Sequence, residues 1–320
     1  MWRRLFIVAG LAIAASAAQS QDYPNKPIKL IVPYAGGGAG DVISRPIAEK
    51  LREELGQPVI IENKAGAQSV IGSEFVQRSD PDGYTLLMNF STFGATQFFV
   101  KGVPYDTLKD FTPIIKAAMA PQCVAVSPSL PVQNITDLID YAKKQPNGIS
   151  YGSTGNGNPP HIAGEMMKVR TGANFVQVIY RGGGPLMNDL LGGQIPMAFL
   201  TLATALPHTS TGKLRMIGML ESRRTTIAPE IPTVGETGLP GFSIPETWVG
   251  FLGPSNMPRP IVDKLNAALN KVLKSPDVKK LLETAGYEIV GGTPEELATQ
   301  MKADVESFRK VVETAGITPQ

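Results

Sequence analysis

The stretch Ile28-Lys29-Leu30-Ile31-Val32-Pro33-Tyr34-Ala35-Gly36-Gly37-Gly38-Ala39-Gly40-Asp41 decides the fold. An apolar-rich run meets a proline and then a glycine-dense turn. Val42, Ile43, Ile47, Ala48, Leu51 and Leu55 follow at helical spacing. A strand that opens through glycines onto a helix is the first half of a βαβ unit. Outward from it, residues 58–62 predict a second strand, and glycines 66 and 72 lead into a short helix over 73–78. Residues 84–88 predict a third strand. Strands alternating with helices indicate an α/β fold with a mostly parallel sheet.

The pattern then restarts. A strand at 124–126 precedes a helix over 135–144, entered through Asn134. The strand at 149–151 opens on a second polar glycine loop, residues 152–158, ahead of a helix over 161–170. Strand 176–180, a third glycine run at 182–184, a helix through Leu191, and strands at 195–200 and 214–220 complete the unit. A proline-rich polar run extends to Phe242. Val124–Pro131 is echoed by Val249–Pro258, each a strand, a Ser/Pro turn and a helix. The architecture expected is two similar α/β lobes with two crossovers between them. Residues 21–118 and 227–320 form lobe 1, and 119–226 form lobe 2. Helix 261–273 is amphipathic, and the last helix starts with Thr293 as N-cap, Pro294 at N1 and Glu296 at N3. Pro46 falls within the first helix, where it removes a backbone bond unless the helix starts near Ser44.

Residues 1–20 read as a secretory signal peptide. Arg3 and Arg4 precede an apolar run over 5–15 and small residues, with cleavage expected near residues 17–21. The apolar run is too short for a bilayer, which needs about 20 residues. The whole chain of 320 residues carries 30 Lys+Arg against 28 Asp+Glu. Removing the leader takes two arginines and no acid, leaving 28 of each sign. A neutral chain lacks the basic surface that nucleic acid requires. One cysteine, Cys123, allows no internal disulfide, and two histidines allow no multi-histidine metal site. No metal or cofactor is expected.

The loop at 36–40 lies between strand and helix, where backbone N–H groups face an anion. It lacks both the Gly-x-Gly-x-x-Gly spacing of dinucleotide sites and the Gly-Lys-Ser/Thr of phosphate loops, since Ile43 follows Gly40 by three. What remains is an amide nest suited to a carboxylate. Asp41 either caps the helix or takes a ligand hydroxyl. The second loop offers Ser153, Thr154 and Asn156, and then His161 as a neutral pocket wall or a core histidine. A nucleophile elbow fails because Tyr151 stands where glycine is required. Arg181 either pairs with an acidic ligand or is a solvated strand-end residue. Trp248 either closes a pocket or packs an inter-lobe strand.

The segment from Tyr23 to Tyr34, with Gly37, Gly38 and Asp41, resembles the opening of the tripartite tricarboxylate transporter receptors, the Bug family. The resemblance continues in order through the mature chain. It runs through Gly56-Gln57-Pro58-Val59, Glu62-Asn63, Pro81-Asp82-Gly83-Tyr84-Thr85-Leu86-Leu87 and Pro104-Tyr105-Asp106. Further matches are Leu190-Leu191-Gly192-Gly193-Gln194, Pro232-Thr233-Val234, Gly238-Leu239-Pro240-Gly241-Phe242 and Gly291-Gly292-Thr293-Pro294-Glu295-Glu296. The resemblance implies a periplasmic solute-binding protein of the type II, Venus-flytrap architecture. It implies a monomer that captures a di- or tricarboxylate, or an aromatic carboxylate, and delivers it to integral-membrane permease subunits. Carried over, its ligand-binding positions are Tyr34, Gly37, Gly38, Asp41, Ser91, Thr92, Ser153, Thr154, Asn156, Gly157 and His161. Where many relatives place an aspartate, this chain has Leu200-Thr201, so a hydroxyl replaces an acceptor-only charge. Two other readings are a ligand sensor for a two-component system and a secreted hydrolase using Ser153 or Asp41.

Overall fold

A computed structural model describes residues 23–153, 155–180 and 183–315. The proposed leader at 1–20 lies outside the described residues. The first sheet collects β1 (Ile28–Val32), β2 (Val59–Asn63), β3 (Thr85–Phe90) and β4 (Phe111–Met119). Between these strands come α1 (Ala39–Leu55), α2 (Val70–Gln77) and α3 (Thr96–Phe99). The second sheet is built from β5 (Gln122–Val126), β6 (Ile149–Ser153), β7 (Phe175–Ile179), β8 (Met197–Thr201) and β9 (Arg215–Met219). Its helices are α4 (Ile135–Lys143), α5 (Pro159–Thr171), α6 (Gly183–Leu191), α7 (Leu202–Thr209) and α8 (Val234–Thr237). The chain then returns through β10 (Trp248–Pro254), α9 (Arg259–Leu273), α10 (Pro276–Thr284), β11 (Glu288–Ile289) and α11 (Pro294–Ala315).

The sheets are ordered β11-β4-β10-β3-β1-β2 and β7-β6-β8-β5-β9; read in reverse, the second matches the first from β4 onward, with β11 added at the edge. β10 enters the first sheet antiparallel between β3 and β4. β5 enters the second antiparallel between β8 and β9. The sequence echo at Val124 and Val249 therefore marks the same structural event, a strand arriving from the other lobe. Each sheet is covered on both faces, as a doubly wound fold requires. One face of the first packs Ile43, Ile47 and Leu51 of α1 with Leu265 and Leu269 of α9. Its other face packs Val70 and Val76 of α2 with Leu297 and Met301 of α11. In the second, α4, α5 and α8 cover one face, while α6 and α7 cover the other.

The second crossover lies later than residue 227. Val234, Phe242 and Ile244 are buried in the core of the second lobe, and Thr233 bridges Met219. The proline- and glycine-rich run at 227–244 lacks strand or helix periodicity, yet it is anchored by the Thr233–Glu236 capping box. The chain returns over residues 245–247, where Ala120 donates its N–H to the Thr247 carbonyl at 2.7 Å and ties the two crossovers together. Pro46 is accommodated inside α1, which starts at Ala39. The carbonyl it deprives of a donor is that of Val42, an exposed residue. The last helix has the expected cap: Thr293 N–H donates to Glu296 Oε2 at 2.7 Å, and Glu296 N–H to Thr293 Oγ1 at 3.2 Å.

Candidate functional site

The loop after β1 is folded around Asp41. Gly37 takes φ +80°, and Gly38 precedes α1 without a side-chain cap. Gly40 lets the helix start lie on β1, since a β-carbon there would stand 2.8 Å from Val32 Cγ1. Asp41 Oδ2 accepts the Gly37 N–H at 2.8 Å and the Arg45 guanidinium at 2.6 Å, while Oδ1 accepts Asn63 Nδ2 at 2.8 Å. Burial alone pushes this carboxyl up, but the Asn63, Gly37 and Arg45 donors outweigh it and hold the group at about 2. Both Asp41 carboxylate oxygens thus accept hydrogen bonds that close its own loop. Beside it, Tyr34 donates its hydroxyl to Asn89 Oδ1 at 2.6 Å and stands edge-on to Phe90. Burial raises this phenol well above its ordinary range, so it stays neutral.

The loop after β6 is braced in a parallel way. Ser153 Oγ accepts Gln177 Nε2 at 2.7 Å and the Gly155 N–H at 3.3 Å. Asn158 caps α5 by accepting the His161 N–H at 3.0 Å. His161 Nδ1 accepts the Gly157 N–H at 3.1 Å, which assigns the ring proton to Nε2. Burial lowers the imidazole below its usual range, against a weaker upward pull from Glu165, and the ring is neutral. These bonds keep Ser153 and His161 apart in function: neither is hydrogen-bonded to the other, as nucleophile and base must be.

Between the loops is a cavity of about 190 Å³. Lobe 1 contributes Tyr34, Gln68, Thr92, Thr96 and Phe99, and lobe 2 contributes Gly155, Asn156, Gly157 and Asn158. None of these residues carries a formal charge. The lobes touch at Gly157, where a β-carbon would stand 2.5 Å from Phe99 Cγ and φ is +79°. An apolar cluster of Ala95, Phe99, Ile162 and Phe308 continues the contact.

Of the expected site residues, the cavity brings together Tyr34, Thr92, Asn156 and Gly157. Gly37, Gly38, Asp41, Ser153 and His161 belong to the two loops but do not line the cavity. Ser91 is buried in a tight inter-lobe seam with Pro159, Ile162 and Thr247. Thr201 shares a 2.7 Å hydroxyl bond with Thr204 and does not line the cavity. Thr154 and Arg181 lie outside the described residues. Sequence reasoning missed Gln68, Thr96, Phe99, Gly155 and Asn158. Gly155 and Asn158 stand inside the loop already quoted, and Gln68 stands in the glycine turn at 66–72. Trp248 opens the crossover strand β10 and is buried against α11, its indole N–H donating to Asp304 Oδ2 at 2.6 Å.

Among the described residues no helix is long and apolar enough to cross a membrane, and no cluster of three metal-ligating side chains occurs. A protein from Pseudomonas sp. (strain P51), described as a UPF0065 protein in the tcbD-tcbE intergenic region, is 35% identical over 312 residues. The match covers 96% of this chain and 93% of that one. Among solved structures, R. palustris Rpa4515 with adipate superposes at a TM-score of 0.85 with 31% identity, covering 93% of this chain and all of that one. The periplasmic binding protein BugD superposes at 0.81 with 32% identity, over 93% of this chain and all of its own. The model of the tripartite tricarboxylate transporter family receptor matches residues 43–317. With the two-lobed fold and the cavity between its loops, this chain belongs to that family of periplasmic solute-binding receptors.

Proposed function

We propose that this chain captures a small dicarboxylate between its lobes in the periplasm and presents it to the membrane subunits of a tripartite transporter. The observation that carries this reading is the uncharged cavity lined from both lobes by glycine-loop backbone, hydroxyl and amide groups. A carboxylate moved out of water needs its lost hydrogen bonds replaced. N–H and O–H donors aimed at a charged oxygen return about 1.5–3 kcal/mol each. The adipate in the Rpa4515 structure is a ligand of that size and charge. The ligand leaves chemically unchanged, because Ser153 and His161 are spent on bracing their loop. Capture and closure remove water from the cleft, and a ligand that prefers the closed lobes shifts that population.

Thermal denaturation of the mature chain against a panel of di- and tricarboxylates, aromatic acids and acidic amino acids tests the reading. A straight-chain diacid should raise Tm in a concentration-dependent way. Failure of every acid to do so would refute carboxylate capture. Uptake of the same acid by vesicles carrying the permease, dependent on added receptor, tests the partner.

A further inference from the structure

Ala67, Gln68 and Ser69 take φ values of +44°, +52° and +75° in succession, a left-handed run in three residues that have a β-carbon. L-residues avoid this region, and such backbone persists only where its surroundings impose it. Here the imposition is visible. Gly66, at φ +139°, is pressed against Ile71, and Ser69 is buried with its hydroxyl beside the Tyr34 phenol. Val70 is buried as the start of α2. With both flanks anchored inward, the turn swings Gln68 outward to line the cavity.

On the lobe 1 wall the other side chains are occupied, the Thr92 hydroxyl by the Tyr34 phenol. Tyr34 donates its hydroxyl to Asn89, and Thr96 donates its own to the Thr92 carbonyl at 3.2 Å. Phe99 is apolar. The nearby Lys64 lies over the Phe75 ring at 4.2 Å and pairs with Glu62. The Gln68 amide has no hydrogen-bond partner among the described residues, and it offers two donors on one group. We infer that Gln68 is the specificity-determining residue of the cavity, donating to a second carboxylate at the end of the ligand remote from the lobe 2 loop. The inference rests on the proposed capture of a diacid and assigns the residue that distinguishes it from a monoacid.

The test titrates the mature protein and its variants, by calorimetry, with adipate, hexanoate and 6-aminohexanoate, and with diacids and monoacids of three to eight carbons. Wild type should bind one of the diacids about tenfold or more tightly than the monoacid of equal length. Gln68→Ala should lose that advantage and leave monoacid affinity within about twofold. Gln68→Glu should lose the diacid and gain affinity for 6-aminohexanoate, whose far end is an ammonium. Gln68→Gly suits φ +52°, so its Tm should equal or exceed wild type while its selectivity falls, which separates loss of the amide from loss of fold. If wild type binds acids and Gln68→Ala loses mono- and diacids equally, or loses neither, the role of Gln68 is refuted. If wild type binds no acid in any assay, the capture reading itself falls and takes this inference with it.

Discussion

Replacing Glu221 with glutamine should stabilise the fold at pH 8 and change it little at pH 5. Glu221 follows β9 beside the first crossover and is only 5% exposed. One of its carboxyl oxygens accepts the Gln122 N–H at 2.7 Å, and the other is buried with no partner among the described residues. Burial is the largest influence and raises the carboxyl to about 7; Glu288 and Glu246 add repulsion, and backbone N–H groups of Gln122 and Glu221 pull it down. Below pH 4.5 the acid is protonated in folded and unfolded chains alike. As pH climbs from 4.5 to 7 the unfolded chain ionises first, so stability falls across that window and stays low above it. At 1.36 kcal/mol per pKa unit the fall is about 3 kcal/mol. Glutamine keeps an oxygen for Gln122 and cannot ionise, so it escapes the fall. Spread over this chain at about 2.1 cal/mol/K of unfolding entropy per residue, the gain at pH 8 corresponds to about 5 °C in Tm. Calorimetric unfolding of both proteins at pH 5, 6, 7 and 8 reads it. Asp304 and His161 titrate in both proteins and cancel in the difference. A Tm difference that is flat across this range, or that grows toward acid, would refute the account.

Trp248→Phe removes the indole N–H from Asp304, a carboxyl that burial raises to about 6. The loss should be about 1–3 kcal/mol at pH 8, where Asp304 is ionised, and smaller at pH 5; unfolding scans at the two pH values check it. Gly157→Ala places a β-carbon against Phe99 at φ +79° and should lower the Tm of the free protein and weaken diacid binding about tenfold or more. Isothermal titration reads this, and unchanged affinity would count against close apposition of the lobes there. Asn63→Leu withdraws a donor from Asp41, whose low folded pKa contributes about 2 kcal/mol above pH 3.8 that is lost as pH falls toward 2. The acid-unfolding midpoint followed by circular dichroism should move to higher pH.

The strand-glycine-helix opening was legible because its chemistry is local: β1 is an apolar run covered on both faces, and the Gly37 turn needs a left-handed residue. The lobe pairing was legible through the echo at Val124 and Val249, which sets where a crossing strand begins. β4 was hidden. Pro113 is its third residue and argues against a strand, but the structure places it opposite Leu252, beside a register shift that tolerates a missing donor. The lobe 2 run at 227–244 was hidden because tertiary burial of Phe242 and Ile244, rather than periodicity, holds it. In the site, the loop residues were readable as residue types with free N–H groups nearby. Their partners were not: only the fold shows that Asp41 is consumed by Gly37, Arg45 and Asn63, or that Ser153 belongs to Gln177. Gln68 was hidden because nothing local marks a glutamine as left-handed.

The distribution of donors bears on release as much as on capture. A cationic side chain in the cavity would attract any anion and would stay with it whether the lobes were open or shut. Here the cavity is neutral, and Arg45 of the first glycine loop's helix is already paired with Asp41 at 2.6 Å. Attraction then comes from short, directional donors, which act only at hydrogen-bond distance. On the proposed reading those donors are divided between Gln68 in lobe 1 and the Gly155–Asn158 loop in lobe 2. Separating the lobes by a few ångströms removes one set together, and removing two or three such bonds at about 1.5–3 kcal/mol each lowers affinity by several powers of ten. An apolar seam of Phe99, Ile162 and Phe308 opposes opening without recognising the ligand. Phe99→Ala, which removes that seam's contact at Gly157, should therefore speed ligand dissociation more than it slows association. Stopped-flow traces showing the reverse would mean that the seam governs entry rather than escape.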